Sequence, residues 1–136
     1  MTGHGPFGLD SDAAQPNILL ISTDMVPPEF YLPGPGPHTP NLAALRDRHL
    51  FFANAWCTSP LCSPSRASYI TGRYSYITTN SERAHDGHQT HLRPDDIIFP
   101  EYLKAAGYHL RHIGKCHAGA QKFGEVFSEN DSPWDR

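Results

Sequence analysis

The sequence PNILLISTD at residues 16–24 contains a continuous apolar run at residues 18–21, between Pro16 and a polar end. A short apolar run with these boundaries is typical of a strand that is buried on both faces, as in a parallel sheet. Asp24 follows the predicted strand, and open α/β sheets bind ligands beyond the carboxyl ends of their strands. The segment therefore predicts an α/β fold, with a mainly parallel sheet flanked by helices and Asp24 at its ligand-binding edge.

Two later segments each combine a helix with a strand. Pro40 suits the first turn of a helix, and residues 50–56 then predict a strand. Farther along, Pro100 opens a short predicted helix and Gly107 closes it, and the following predicted strand ends at Gly114. This alternation of helices and strands supports the α/β prediction.

The sequence CSPSR at residues 62–66 places a cysteine beside a predicted helix start. Ser63 is the predicted N-cap, Pro64 the first helical residue and Gly72 the C-terminal stop. Cys62 would therefore lie where backbone N–H groups and the helix dipole favour anions. Arg66 adds a planar cation that suits oxyanions. A reactive side chain beside an anion-binding turn is the arrangement of a nucleophile that attacks a sulfate or phosphate ester.

Reactive side chains follow each of the three predicted strands. Right-handed crossovers would bring the carboxyl ends of these strands to the same edge of one sheet. The sequence therefore predicts a single site that contains Asp24, Cys62, Arg66, Lys115 and His117.

Taken together, these segments resemble the type I sulfatases, α/β enzymes of the alkaline-phosphatase-like superfamily with the maturation signature Cys-x-Pro-x-Arg, most often Cys-x-Pro-Ser-Arg. Cys62, Pro64, Ser65 and Arg66 fill every position of that signature. The sequence GKCH at residues 114–117 is similar to the family's second signature, usually Gly-Lys-Trp-His. The resemblance implies that a formylglycine-generating enzyme oxidises Cys62 to formylglycine, whose hydrate is the nucleophile.

The resemblance also implies the reaction and the roles of the site residues. A sulfate-ester substrate would be hydrolysed, with Arg66 holding the diol oxygens and Lys115 bridging the diol and the sulfate. His117 would orient or deprotonate the diol. Asp24 and the formylglycine derived from Cys62 would bind a divalent cation, Ca²⁺ by preference, with Mg²⁺ as the second choice.

The chain departs from the family pattern at Met25, at Cys116 and at residues 74–79, which lack the Pro-His that is common after the Thr-Gly-Arg turn. Met25 stands where sulfatases usually carry a second acidic ligand, and its thioether is a soft ligand that does not suit Ca²⁺. Cys116 replaces the aromatic residue of the second signature, at a position that we expect to be structural. Met25 therefore leaves three alternatives: the metal is held with one acidic ligand, its affinity is lower, or the cation site is degraded.

The resemblance extends from about residue 15 to residue 119 of the 136 in the chain. We expect a flexible N-terminus at residues 1–15, the N-terminal part of a sulfatase catalytic domain at residues 16–119, and an incomplete tail at residues 120–136. Sulfatases are considerably longer and carry further metal ligands in later segments. The chain is thus predicted to be a truncated and inactive fragment.

Composition excludes several other classes. The formal charge of −3 provides no basic face for nucleic acid, and no apolar run approaches the length of a membrane helix. Residues 1–15 lack the features of a signal peptide, so cytoplasmic residence is the default expectation. Three cysteines do not make a disulfide framework.

Three alternatives stay open from the sequence. One is a phosphonate or phosphate monoester hydrolase of the same superfamily, and another is a non-catalytic remnant of the fold. The third is a zinc-binding module, although the spacing of its candidate ligands matches no standard finger. Those ligands would be Cys57, Cys62, His85, His88, His91, Cys116 and His117.

Overall fold

The computed structural model describes residues 15–78 and 92–132 of the chain. Its elements are a 3₁₀ helix at Pro28–Phe30, then α1 (Pro40–Arg48), α2 (Cys62–Thr71), α3 (Ser75–Thr78), α4 (Phe99–Ala105), β1 (Arg111–Ile113), α5 (Ala120–Val126) and β2 (Glu129–Asp131). The chain divides into two compact units, Met1–Ala44 and Leu45–Arg136. None of the helices in the described stretches has the length and apolarity that a membrane span requires.

The strand predicted at residues 18–21 is absent from the structure of the first unit. These residues belong to no helix or strand, and the side chains of Leu19 and Ile21 are 84% and 76% exposed. A doubly buried strand needs neighbouring strands for its backbone hydrogen bonds and cover for both faces. The described residues of this unit include no other strand that could pair with the run. The strand prediction was therefore wrong, because an apolar run supplies side chains but not the partners that bury them.

The helix predicted at Pro40 is confirmed by α1, whereas the strand predicted at residues 50–56 is wrong. No residue of α1 is buried. Phe52 and Trp56 are 71% and 93% exposed, and residues 50–56 form no strand. The aromatic composition of this segment favours a strand, but no described strand pairs with it.

The second unit contains a parallel pair of strands joined through a helix. β1 and β2 pair in parallel, with Arg111 opposite Glu129 and Ile113 opposite Asp131, and α5 lies between them in the chain. The strand predicted to end at Gly114 is confirmed by β1. The segment at residues 120–136, which the sequence predicted to be an incomplete tail, contributes α5 and β2. The α/β class with parallel pairing is thus confirmed in this unit, with two strands among the described residues.

The core of the second unit joins α2, α4, α5 and the loop after β1. It consists of Ala67, Ile70, Leu92, Ile98, Leu110, Cys116, Ala118, Phe123 and Val126. Phe123 stacks on Phe127 with 5.1 Å between ring centroids. Cys116 is only 1% exposed, so the residue that replaces the expected aromatic is a core residue. Burial of Cys116 and Ala118 fixes the chain that carries Lys115 and His117.

Helix α2 begins earlier than the sequence predicted. Cys62 is its first residue and Leu61 is the N-cap, with φ −101° and ψ 147°, so the assignment of Ser63 as N-cap was wrong. Pro64 lies at the third helical position, where its missing N–H is still one of the four that no helical carbonyl accepts. Gly72 ends the helix in the left-handed conformation at φ 69°, as predicted. Cys62 therefore lies within the first helical turn.

Candidate active site

The first turn of α2 holds three of the residues that sequence analysis singled out. Cys62 is half-buried, Ser63 is fully buried, and the Arg66 residue is 9% exposed. Residues three and four apart lie on the same face of a helix, so Arg66 shares a face with both Cys62 and Ser63. The approach to the helix is anchored as well, because the Thr58 hydroxyl donates to the Ser68 hydroxyl at 2.7 Å.

The loop that follows β1, residues 114–119, has an unusual backbone. Gly114 and Gly119 have φ of 99° and 147°, and His117 has φ of 51°. Positive φ is uncommon for residues other than glycine, although histidine tolerates it better than most. The Leu92 N–H donates to the Ala118 carbonyl at 2.7 Å, which ties this loop to the core. The loop thus turns sharply just beyond the carboxyl end of β1.

Two hydrogen bonds join the first turn of α2 to this loop. The Ser63 hydroxyl donates to the main-chain carbonyl of His117, and Arg66 Nη1 donates to the main-chain carbonyl of Lys115 at 2.6 Å. The partners are 54 and 49 residues apart in sequence. The structure therefore brings Cys62, Arg66, Lys115 and His117 together. Sequence analysis gave Ser63 a capping role and missed this contact, because no local pattern signals so distant an acceptor.

This arrangement concentrates complementary chemical groups at the end of a parallel strand. The helical turn that contains Cys62 and Arg66 lies beside the backbone of Lys115 and His117, the residues that follow β1. Guanidinium groups bind oxyanions through as many as five N–H donors, so the bond from Arg66 to Lys115 does not exhaust that side chain. Position 62 therefore lies one helical turn from a buried guanidinium, a group that binds oxyanions.

Asp24, the predicted cation ligand, belongs to the first unit. It lies at an exposed bend, and the next residue, Met25, has φ of 54° and a 91% exposed side chain. Within residues 15–78 and 92–132, no group of three or more histidine, cysteine, aspartate or glutamate side chains could hold a metal ion. Ca²⁺ takes six to eight oxygen ligands, of which one carboxylate supplies at most two. The described donors thus do not fit a complete cation site.

The alternative of a zinc-binding module has no support among the described residues. His85, His88 and His91 lie outside the described residues, and the candidate ligands that are described form no metal-binding group of three. A separate cleft of about 520 Å³ runs along another side of α2 and is lined in part by Trp56 and Ser65. Its lining includes none of the four predicted site residues Cys62, Arg66, Lys115 and His117, so this cleft is separate from the candidate site.

Several known proteins are similar to this chain over most of its length. The sulfatase family model matches residues 16–133. N-acetylgalactosamine-6-sulfatase of Homo sapiens is 38% identical over 128 residues, which cover 83% of this chain and 24% of that protein. Choline-sulfatase of Rhizobium meliloti (strain 1021) is 34% identical over 105 residues, covering 76% and 20%. Ulvan-active sulfatase of Formosa agariphila is 34% identical over 108 residues, covering 78% and 20%.

No solved structure matches the chain. The chain spans about a fifth to a quarter of the length of the curated relatives it matches.

Proposed function

The chain belongs to the sulfatase family, and we propose that it is the part of a sulfuric ester hydrolase that carries the nucleophile, a formylglycine made from Cys62. The observation that supports this most directly is the pair of hydrogen bonds from the first turn of α2 to the loop at residues 114–119. Those bonds hold the backbone of Lys115 and His117 beside the turn that contains Cys62, which supports assigning these residues to one site.

Each side chain of the proposed site has a distinct task. The formylglycine hydrate would supply the oxygen nucleophile that attacks sulfur. Arg66 would hold the diol oxygens and Lys115 would bridge the diol and the sulfate, and both cations would offset the negative charge that develops on the sulfate in the transition state. His117 would orient the diol or accept its proton as a general base.

The position of Cys62 as the first residue of α2 adds to this proposal. The backbone N–H groups of a first helical turn have no helical acceptor and carry the positive end of the helix dipole. An anionic group on a substrate that reached position 62 would be stabilised by these groups and by Arg66. Substrates of this site are thus proposed to be sulfate monoesters, which keep a negative charge at all physiological pH values.

The cation remains a separate proposal. Asp24 would contribute one ligand to Ca²⁺, or alternatively to Mg²⁺, but no mechanistic step is assigned to the ion because the described donors do not complete its site. We expect Ca²⁺ to bind this chain with a Kd no tighter than about 1 mM, the weak end of the protein range. For the same reason we expect no detectable turnover of an aryl sulfate by the 136-residue chain.

The test of the proposed function is the mass of one tryptic peptide after co-expression with a formylglycine-generating enzyme. Trypsin cleaves after Arg48 and Arg66, so residues 49–66 form a peptide that contains both Cys57 and Cys62. We expect an aldehyde at Cys62 and an intact thiol at Cys57, located by fragmentation of the peptide. Cys57 is exposed and lies outside the signature, which makes it an internal control.

Two outcomes would count against the proposal. One is a persistent thiol at Cys62 while a known substrate of the enzyme is converted in the same cells. The other is equal oxidation of Cys57 and Cys62, which would indicate unspecific chemistry. A Pro64→Ala variant is the matched control, and we expect it to lose conversion while the chain is still produced.

A further inference from the structure

We infer that Ser63 is a positioning residue, whose hydroxyl holds His117 beside the turn that carries Cys62. The inference rests on the proposed function, since it assigns Ser63 a task in arranging that site. Ser63 need not touch substrate, because it acts through the backbone of His117. It occupies the variable position of the Cys-x-Pro-x-Arg signature, between Cys62 and Pro64.

The environment of Ser63 indicates a specific anchoring role. The residue is 0% exposed and donates its hydroxyl hydrogen to a carbonyl that is 54 residues away in sequence. Arg66, three residues later, makes the parallel contact to Lys115 from the same face of the helix. Side chains of one helical turn therefore bind the carbonyls of Lys115 and His117, the two loop residues to which the proposed function assigns catalytic roles.

His117 is the residue of the loop that most needs an anchor. Its φ of 51° lies in the left-handed region, which costs conformational energy for a residue with a side chain, although less for histidine than for most. Gly114 and Gly119 also have positive φ, but a glycine adopts that region without strain. Removal of the Ser63 hydroxyl should let His117 return to an ordinary backbone conformation, and its imidazole would then move away from Cys62.

Cys116 offers a native reporter of this change. It is 1% exposed and lies between the two anchored residues, whereas Cys57 is exposed. We would expose the full chain to iodoacetamide under native conditions and measure the alkylation rate of each cysteine by peptide mass spectrometry. In the Ser63→Ala variant, iodoacetamide should alkylate Cys116 about fivefold faster than in the parent chain. This is the factor by which the loss of one net hydrogen bond changes the opening equilibrium of the loop. The rate at Cys57 should not change.

Two further variants separate positioning from general stability. Ser63→Thr keeps a hydroxyl at the same place and should restore the rate at Cys116 to within about twofold of the parent chain. Ser68→Ala removes another buried hydroxyl of α2, one that accepts a bond from Thr58, and should leave Cys116 protected. Equal acceleration in Ser63→Ala and Ser68→Ala would overturn the inference, because it would show only a loss of helix stability.

A spectroscopic measurement provides a second readout. A residue with positive φ brings its amide and α hydrogens close together, so His117 should give a strong intraresidue NOE between them. We expect this NOE in the parent chain and in Ser63→Thr, and its loss in Ser63→Ala. Its persistence in Ser63→Ala would overturn the inference, as would its absence from the parent chain.

Should Ser63→Ala lose its helical circular dichroism signal, Ser63→Thr decides the question. A folded Ser63→Thr chain with slow Cys116 alkylation supports positioning by the hydroxyl, and fast alkylation in that folded chain contradicts it. All of these measurements use the unmodified Cys62 thiol. They can therefore fail or succeed independently of the aldehyde test of the proposed function.

Discussion

Arg66 should contribute more to the stability of the second unit than a surface arginine does. Its residue is 9% exposed, and Nη1 lies 2.6 Å from the Lys115 carbonyl oxygen. A hydrogen bond from a charged donor contributes about 1.5–3 kcal/mol, so Arg66→Met, which keeps much of the apolar stem, should cost about 2 kcal/mol. Arg66→Ala also removes about two buried methylene equivalents at roughly 0.8 kcal/mol each, which brings its cost to about 3.5 kcal/mol.

The free energy of unfolding can be measured by urea titration followed by far-ultraviolet circular dichroism, with an unchanged m-value as the criterion for comparison. A double-mutant cycle adds Ser63→Ala to Arg66→Met. Because both side chains hold the same loop, loss of either one should weaken the other, and the double variant should cost at least about 0.5 kcal/mol less than the sum of the single variants. An Arg66→Met chain within about 0.5 kcal/mol of the parent, or additivity within that margin, would refute the reasoning.

Three further predictions concern other parts of the chain. Met25→Asp places a second carboxylate next to Asp24 at a φ of 54° that aspartate tolerates, so calorimetry should show Ca²⁺ affinity raised about tenfold, while the uncharged Met25→Asn control stays near the parent value. For Glu101, burial alone would raise the pKa, but Lys122, 2.9 Å away, and the Ile98 N–H outweigh burial and lower the pKa below 4.5. The stabilisation of the folded state by the Glu101 carboxylate is fully present above about pH 4.5 and is lost as the pH falls through the lower pKa of the folded state. Acid titration should therefore destabilise the parent chain more than the Glu101→Gln variant. At Gly114 no atom lies within 4 Å of an added Cβ, but the φ of 99° is unfavourable for alanine. Gly114→Ala should therefore lower the free energy of unfolding in urea by about 1–3 kcal/mol, through backbone strain alone.

The sequence predicted the elements whose ends are set by local chemistry. α1 and α4 start at or beside a proline, Gly72 closes α2, and β1 ends where Gly114 was expected to end it. Proline and glycine act on the backbone of their own turn, so no distant partner is needed for these predictions. The two failed strands needed pairing partners, and an apolar pattern does not identify a partner.

The site residues were predicted to group together because each was expected to follow a strand, and the structure contradicts that reason for Cys62. The prediction placed Cys62 after a strand at residues 50–56, and the structure has no strand there. Only Lys115 and His117 follow a strand, β1. The turn that carries Cys62 is joined to them by side-chain bonds from α2, with Ser63 and Arg66 as donors. Such bonds depend on the packed core and cannot be deduced from spacing along the chain.

The double use of Arg66 determines which variants can test the mechanism. Arg66 is part of the signature that resembles a maturation motif, and it also holds the Lys115 carbonyl. Loss of activity in an Arg66 variant of any active sulfatase built on this chain would therefore combine three effects: failed maturation, a displaced Lys115, and a lost charge at the sulfate. Ser63 is free of the first and third effects, because it fills the variable position and carries no charge. A Ser63 variant that still gains the aldehyde but loses its order at His117 would isolate the positioning effect from the chemistry of the nucleophile.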